Sequence, residues 1–159
     1  MSIISWNCRG GLQAGLKDRR TVQELRAMVR LKSPSIIFLC ETKCSISVID
    51  RIKCELNYFG VGVDAQGSSG GMALLWNKNV VVNLKSYSDF YIDVSAILFG
   101  KPIRITGVYC EPNVARRRQA WHRFRQLHQP GNCPWLCLGD FNEVLAQAEF
   151  EGAAPRAEW

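Results

Sequence analysis

The sequence has no uninterrupted apolar stretch long enough to cross a bilayer. Its first residues, Met1 to Asn7, lack a basic start followed by an apolar run and a small-residue cleavage site. No transmembrane segment or signal peptide is therefore expected, no membrane partner is implied, and a nuclear or cytoplasmic location is the default. No internal repeat or low-complexity linker interrupts the chain, so residues 1–159 read as a single unit. Histidine is scarce. His122 and His128 lie six positions apart in a helical segment and so point to different faces, and a solvated or packing role is expected for both.

The seven cysteines do not outline a disulfide framework. Their number is odd, and Cys8, Cys40, Cys44, Cys54, Cys110, Cys133 and Cys137 are scattered through apolar segments, which suits a reducing compartment. Cys133 and Cys137 invite a zinc reading, but Trp135, Leu136 and Leu138 beside them mark a buried strand and the histidines do not complete a ligand set. Core thiols are expected instead. The glycine- and serine-rich stretch Gln66 to Gly71 lacks the Gly-Lys-Ser/Thr ending of a phosphate loop and precedes a strand, so it reads as a turn-rich connection.

What is present is the material of one globular core: 159 residues, 47% hydrophobic and 21% charged. The formal net charge of +6 favours polyanionic partners such as nucleic acid. Alternation from Met1 to Cys8 predicts a strand ending in a turn at Asn7 to Gly11. Helical spacing of Val22, Leu25, Met28 and Val29 after an Asp18 N-cap predicts an amphipathic helix that stops at Ser33-Pro34. The continuous apolar run Ile36 to Cys40 predicts a strand buried on both faces. Ile49, Ile52 and Leu56 predict a second helix, and a strand follows around Phe59 to Val63.

Met72 to Trp76, Val80 to Tyr87, Tyr91 to Phe99 and Ile103 to Tyr109 are successive strand candidates with short turns between them, which implies an antiparallel meander. A third helix is predicted from Val114 to Gln129. Trp121, Phe124 and Leu127 form its apolar stripe, with Arg116, Arg117, Arg118, Arg123 and Arg125 on a solvated face. Pro134 to Leu138 predicts another buried strand, which delivers Gly139-Asp140-Phe141-Asn142.

Polar residues of a particular kind therefore stand at the ends of apolar strands: Asn7, Glu41, Tyr109 with Asn113 beyond it, and Asp140 with Asn142. Each alone has a cap or turn as its bland explanation. Together they suit one rim of a sheet. The carboxylates Glu41 and Asp140 are appropriate to a hard cation such as Mg²⁺, while amides and a phenol hold phosphate oxygens without adding negative charge.

Trp6-Asn7-Cys8-Arg9-Gly10, Phe38-Leu39-Cys40-Glu41-Thr42-Lys43, Gly70-Gly71-Met72-Ala73-Leu74-Leu75-Trp76, Ile105-Thr106-Gly107-Val108-Tyr109 and Gly139-Asp140-Phe141-Asn142-Glu143 occur in the order of the motifs of the endonuclease/exonuclease/phosphatase superfamily. The chain resembles that superfamily, and within it the endonuclease domains of plant non-LTR retrotransposons. The resemblance implies an α/β (α+β) fold, a four-layered sandwich of two mostly antiparallel sheets flanked by helices. It also implies hydrolysis of phosphodiesters with Mg²⁺, or Mn²⁺ in its place, on nucleic acid, DNA first. No obligate protein partner is inferred.

By the same resemblance Glu41 would bind the metal, and Asn7 would help position metal and scissile phosphate. Tyr109 would contact the phosphate, Asp140 would orient or deprotonate the attacking water, and Asn142 would hold the phosphate beside it. Family members carry a further Asp and a Ser-Asp-His after another block of strands. The expectation is thus that residues 1–159 are the N-terminal portion of the domain, incomplete at the C-terminus. Three readings stay open: an active DNA endonuclease, an inactive truncated remnant with at most nucleic-acid binding, and a family phosphatase acting on a smaller phosphoester; the expectation is a DNA endonuclease parent domain, with residues 1–159 alone weakly active or inactive.

Overall fold

A computed structural model describes residues 1–9, 14–67, 69–110, 113–128 and 131–143, without the side chains of 114–116. Gly10 and Gly11 of the first turn, Ser68, the predicted helix end at Gln129 and the Arg116 side chain lie outside the described residues. Among the described residues there are eight strands: β1 (Ile3–Asn7), β2 (Ile36–Cys40), β3 (Tyr58–Gln66), β4 (Ser69–Asn77), β5 (Val82–Tyr87), β6 (Tyr91–Leu98), β7 (Lys101–Tyr109) and β8 (Trp135–Asp140). The helices are α1 (Arg19–Lys32), α2 (Ile46–Leu56) and α3 (Val114–Gln126), with a short 3-10 turn at Gly15–Lys17. Asp18 caps α1 as expected, its carboxylate accepting from Arg20 N at 3.0 Å, and Ser33 ends the helix in a left-handed conformation.

The strands form two four-stranded mixed sheets, ordered β1-β2-β4-β3 and β5-β6-β7-β8. Each contains two antiparallel pairings and one parallel pairing, β1 with β2 and β7 with β8. β2 is buried along its whole length because its faces serve different layers. Ile36, Phe38 and Cys40 enter the core between the sheets with Met72, Leu74, Ile92, Val94 and Ile105. Ile37 and Leu39 pack outward with Leu25, Ile49 and Ile52 of α1 and α2. On the far side, Trp121 and Phe124 of α3 cover Val108 and Cys110. Helices, sheet, sheet and helix make the four layers that the family resemblance implies.

The predicted meander is shorter than expected. Only β5, β6 and β7 form it, because β4 pairs with β2 and β3 and the chain then changes sheets. The turn at Asn77 to Asn79, closed by Asn79 N to Asn77 Oδ1 at 3.0 Å, is a corner between sheets rather than a hairpin. The Gln66 to Gly71 connection is also shorter: Gln66 pairs directly with Ser69, so Gly70 and Gly71 belong to β4. β8 is half-buried instead of buried, since it lies on the edge of its sheet among the described residues. Cys133 is correspondingly exposed and Cys137 intermediate, so neither is a fully buried core thiol. α3 ends at Gln126, which leaves His128 beyond the helix. Among the described residues no helix is long and apolar enough to cross a membrane.

Candidate active site

The two parallel pairings decide where the polar strand ends meet. Parallel neighbours finish at the same rim, and here Asn7 is in register with Cys40 and Tyr109 with Asp140. β4 runs against β2, so its start is at that rim too, with Met72 opposite Cys40. Asn7, Glu41, Tyr109 and Asp140 therefore share one end of the sandwich although four separate strands deliver them.

Among the described residues, two side-chain hydrogen bonds cross from one sheet to the other at this end. Asn7 Nδ2 donates to Asp140 Oδ2 at 2.8 Å, and the Tyr109 hydroxyl donates to Glu41 Oε1. Asn7 Oδ1 in turn accepts from Arg9 N at 2.9 Å, which fixes the amide's orientation. The second oxygen of Asp140 accepts from Asn142 N at 3.0 Å, while Asn142 Nδ2 donates to Cys110 O at 2.7 Å. Asn113, by contrast, is exposed and its carbonyl accepts from Arg117 N at the start of α3, so it serves the helix.

Glu41 is 6% exposed, and its Oε2 is buried without a hydrogen-bond partner. Lys43 Nζ lies 3.8 Å from that oxygen, an ion-pair contact beyond hydrogen-bond reach. Glu41, Lys43 and Asn142 all adopt left-handed φ angles, of 54°, 54° and 51°. Such conformations cost free energy in non-glycine residues and persist where surrounding contacts impose them. Here Thr42 N and Lys43 N donate to Gly71 O and Gly70 O of β4. Gly71 allows the close approach, as a Cβ there would sit 2.4 Å from Thr42 Oγ1.

Burial pushes the Tyr109 phenol well above its ordinary range, and the adjacent negative charge of Glu41, then of Asp140, pushes it further. Tyr109 is thus a hydrogen-bond donor at neutral pH. The Cys40 thiol behind it is pushed up to about 12, first by burial and then by Asp140 and Glu41. It is a packing group, not a nucleophile.

Asn7, Asp140, Phe141 and Asn142 line an open groove together with Arg117 and Glu143. These last two were missed as site residues. Arg117 does not belong to the solvated face: it is 7% exposed and pairs with Glu143 through Nη1 to Oε2 at 2.9 Å. The signal was its spacing, since Arg117 precedes Trp121 by four residues and Phe124 by seven and so falls on the apolar stripe of α3. Neither histidine joins the site. His122 is exposed and bonded to Gln126 at 3.1 Å, and the His128 ring lies 6.2 Å from that of Trp135.

A model of the Endonuclease/Exonuclease/phosphatase family matches residues 4–159. The chain belongs to that family. No curated protein matches it by sequence. Among solved structures, a humanized D. rerio TDP2 carrying 14 mutations superposes with a TM-score of 0.66 at 18% identity, over 94% of this chain and 68% of that one. D. rerio TDP2 complexed with single strand DNA product gives 0.63 at 18% identity, over 91% of this chain and 61% of that one. The endonuclease domain of TRAS1, a telomere-specific non-LTR retrotransposon, gives 0.62 at 14% identity, over 90% and 61%. At these identities the likeness is one of fold, and the chain spans 61% to 68% of the length of these three structures. Enzymes of the Endonuclease/Exonuclease/phosphatase family are generally dependent on divalent metals.

Proposed function

We propose that the chain carries the catalytic rim of a Mg²⁺-dependent phosphodiesterase that acts on DNA as an endonuclease of the retrotransposon type. The observation that carries this reading is the convergence of Asn7, Glu41, Tyr109 and Asp140 through two hydrogen bonds between sheets. A structural role alone would be satisfied by apolar contacts. Instead the rim holds two carboxylates, and a buried oxygen of one of them, Glu41 Oε2, lacks a hydrogen bond.

That oxygen is the test of fit for a metal. Mg²⁺ is held by one or two carboxylates with waters and substrate phosphate, and it suits a carboxylate oxygen that no protein donor satisfies. Glu41 would hold it and the Asn7 amide would complete the site, with Mn²⁺ able to take the same oxygen ligands. When bound, the cation supplies neutralisation of charge on the phosphoryl oxygens.

The remaining chemistry falls to the chain's own groups. Both oxygens of Asp140 are fixed, one by Asn7 Nδ2 and one by Asn142 N, so its free lone pairs face a defined direction and can take the proton of an attacking water. The protonated Tyr109 phenol, by turning from Glu41 Oε1 to the phosphate, and the Asn7 amide, through the Nδ2 hydrogen that Asp140 does not take, can donate hydrogen bonds to phosphate oxygens as negative charge builds there. The basic excess of the chain supports a polyanionic substrate.

Weak nicking of supercoiled plasmid by the purified chain in Mg²⁺, abolished by chelation, by Glu41→Ala and by Asp140→Ala, is the expected result. Nicking that survives both substitutions would remove the site from the mechanism. Turnover of a small phosphoester without nicking would make the substrate class wrong.

A further inference from the structure

We propose that the buried Arg117–Glu143 ion pair is a clamp by which α3 positions the Asp140–Asn142 loop, and that Arg117 is accordingly a positioning residue for hydrolysis. The inference rests on the functional reading above for its catalytic consequence, and on geometry for the clamp itself.

The loop that follows β8 is held from two sides. Toward β7, Cys110 N donates to Asp140 O at 2.8 Å and Asn142 Nδ2 donates to Cys110 O at 2.7 Å. Toward α3, two side chains that flank Asn142 are gripped by two residues one helical turn apart. The Phe141 ring stacks on Trp121 with centroids 6.1 Å apart and planes at 18°, and Glu143 Oε2 receives Arg117 Nη1 at 2.9 Å. Between those anchors Asn142 takes its left-handed φ of 51° and directs its amide to Asp140 Oδ1. The strain of that conformation is imposed by the contacts on either side.

Position along the fold separates this pair from an ordinary surface bridge. The Arg117 and Glu143 side chains are 8% and 9% exposed, whereas Arg123 and Asp89 on the same side of the molecule are 55% and 44% exposed. Opening an ion pair this little exposed to water costs free energy, so the loop does not slide freely. Both residues also line the groove that contains Asp140 and Asn142, so a shift of Glu143 is transmitted through one peptide unit to the groups that face substrate. Reacting groups tolerate displacements well below an ångström before rate falls.

The test uses the whole chain with Arg117→Ala, Arg117→Lys, Arg117→Glu, Glu143→Arg and the double reversal Arg117→Glu/Glu143→Arg. Two readouts are taken: kcat and KM on an oligonucleotide duplex, and hydrogen exchange at the Asn142 amide with Phe38 as the core reference. For Arg117→Ala we expect kcat to fall about a hundredfold with KM within about threefold, since orientation is lost and binding is kept. Exchange at Asn142 accelerates about tenfold while Phe38 is unchanged.

Arg117→Lys keeps the charge without the fork and falls between, which covers the case in which Arg117→Ala does not fold. The double reversal recovers both readouts relative to either single reversal. Wild-type kcat and exchange in Arg117→Ala would overturn the clamp, as would a double reversal no better than the single ones. A wild-type chain with no nuclease activity would sink the functional reading alone. The exchange at Asn142 would then still decide the clamp: acceleration supports it, and an unchanged rate overturns it.

Discussion

Asn7 and Asp140 are 133 residues apart in the chain and 2.8 Å apart at the rim, where the amide of one sheet donates to the carboxylate of the other. The contact closes the sandwich at the end that carries the proposed site, and it sets the rotamer of the proposed proton acceptor. Asn7→Ala should leave the fold intact, because the residue is only half-buried, yet reduce plasmid nicking by about a hundredfold. Asn7→Asp should be worse, since a second carboxylate would face Asp140 at hydrogen-bond distance. Initial nicking rates of the two variants, with circular dichroism to verify folding, check the order; Asn7→Asp matching wild type would contradict it.

The second bond between sheets, Tyr109 to Glu41, makes a claim about metal binding that needs no turnover. Tyr109→Phe removes a donor from a buried carboxylate whose other oxygen already lacks one. The expected loss is about 1–3 kcal/mol of stability. A cation at Glu41 compensates an uncovered carboxylate more than a covered one, so Mg²⁺ should raise the melting temperature of Tyr109→Phe by more than that of wild type. Glu41→Gln should show no Mg²⁺-dependent rise. An equal rise in all three proteins would separate Glu41 from the metal.

The strand ends that form this site were legible in the sequence because apolar runs and the polar residues that punctuate them are local features. Which strands pair was not. Short turns between β4, β5, β6 and β7 look alike in sequence, yet the one at Asn77 carries the chain from one sheet to the other. Side chains that cluster across layers were equally hidden. Asp93 and Arg104 are lone charges eleven residues apart in neighbouring strand segments, but Arg104 Nη2 meets Asp93 Oδ2 at 2.9 Å and its guanidinium lies 4.7 Å from the Trp135 ring centroid. Thr106 Oγ1 joins them, donating to Asp93 Oδ1 at 2.7 Å. Arg117 was masked by its arginine neighbours, and only its place on the apolar stripe of α3 marks it as buried.

Close packing between the sheets yields a prediction about stability alone. Phe38 is fully buried, and a Cβ on Gly107 in β7 would fall 2.2 Å from its ring. The ring has little room to move aside, because it also lies close to β8, where a Cβ on Gly139 would sit 2.9 Å from it. Gly107→Ala should therefore destabilise the chain by about 3 kcal/mol or more, at the upper end of overpacking effects. Gly100→Ala, where a Cβ would meet nothing within 4 Å, is the comparison; its φ of +74° leaves only backbone strain of about 1–2 kcal/mol. Urea denaturation of both variants measures the difference, and equal midpoints would refute the packing argument.

The thiols give a prediction that depends on pH. Cys54 and Cys133 are exposed, Cys137 is intermediate, and Cys8, Cys40, Cys44 and Cys110 are buried. A disulfide reagent at about pH 8 should titrate two thiols rapidly in the native chain and all seven after denaturation. Burial also raises Cys44 and Cys137 above the ordinary thiol value of 9.0, and Tyr58 above 10.0. In the unfolded chain these groups lose their protons near the ordinary values, while the folded chain retains them to higher pH. The unfolded state therefore binds fewer protons in that window, so stability falls as pH rises. The contribution is complete below about pH 9 and declines above it, toward the raised values of the folded state. Urea midpoints should be flat from about pH 7 to about pH 8.5 and lower at about pH 10; a midpoint that climbs across that range would show that these groups do not remain buried and protonated in the native chain.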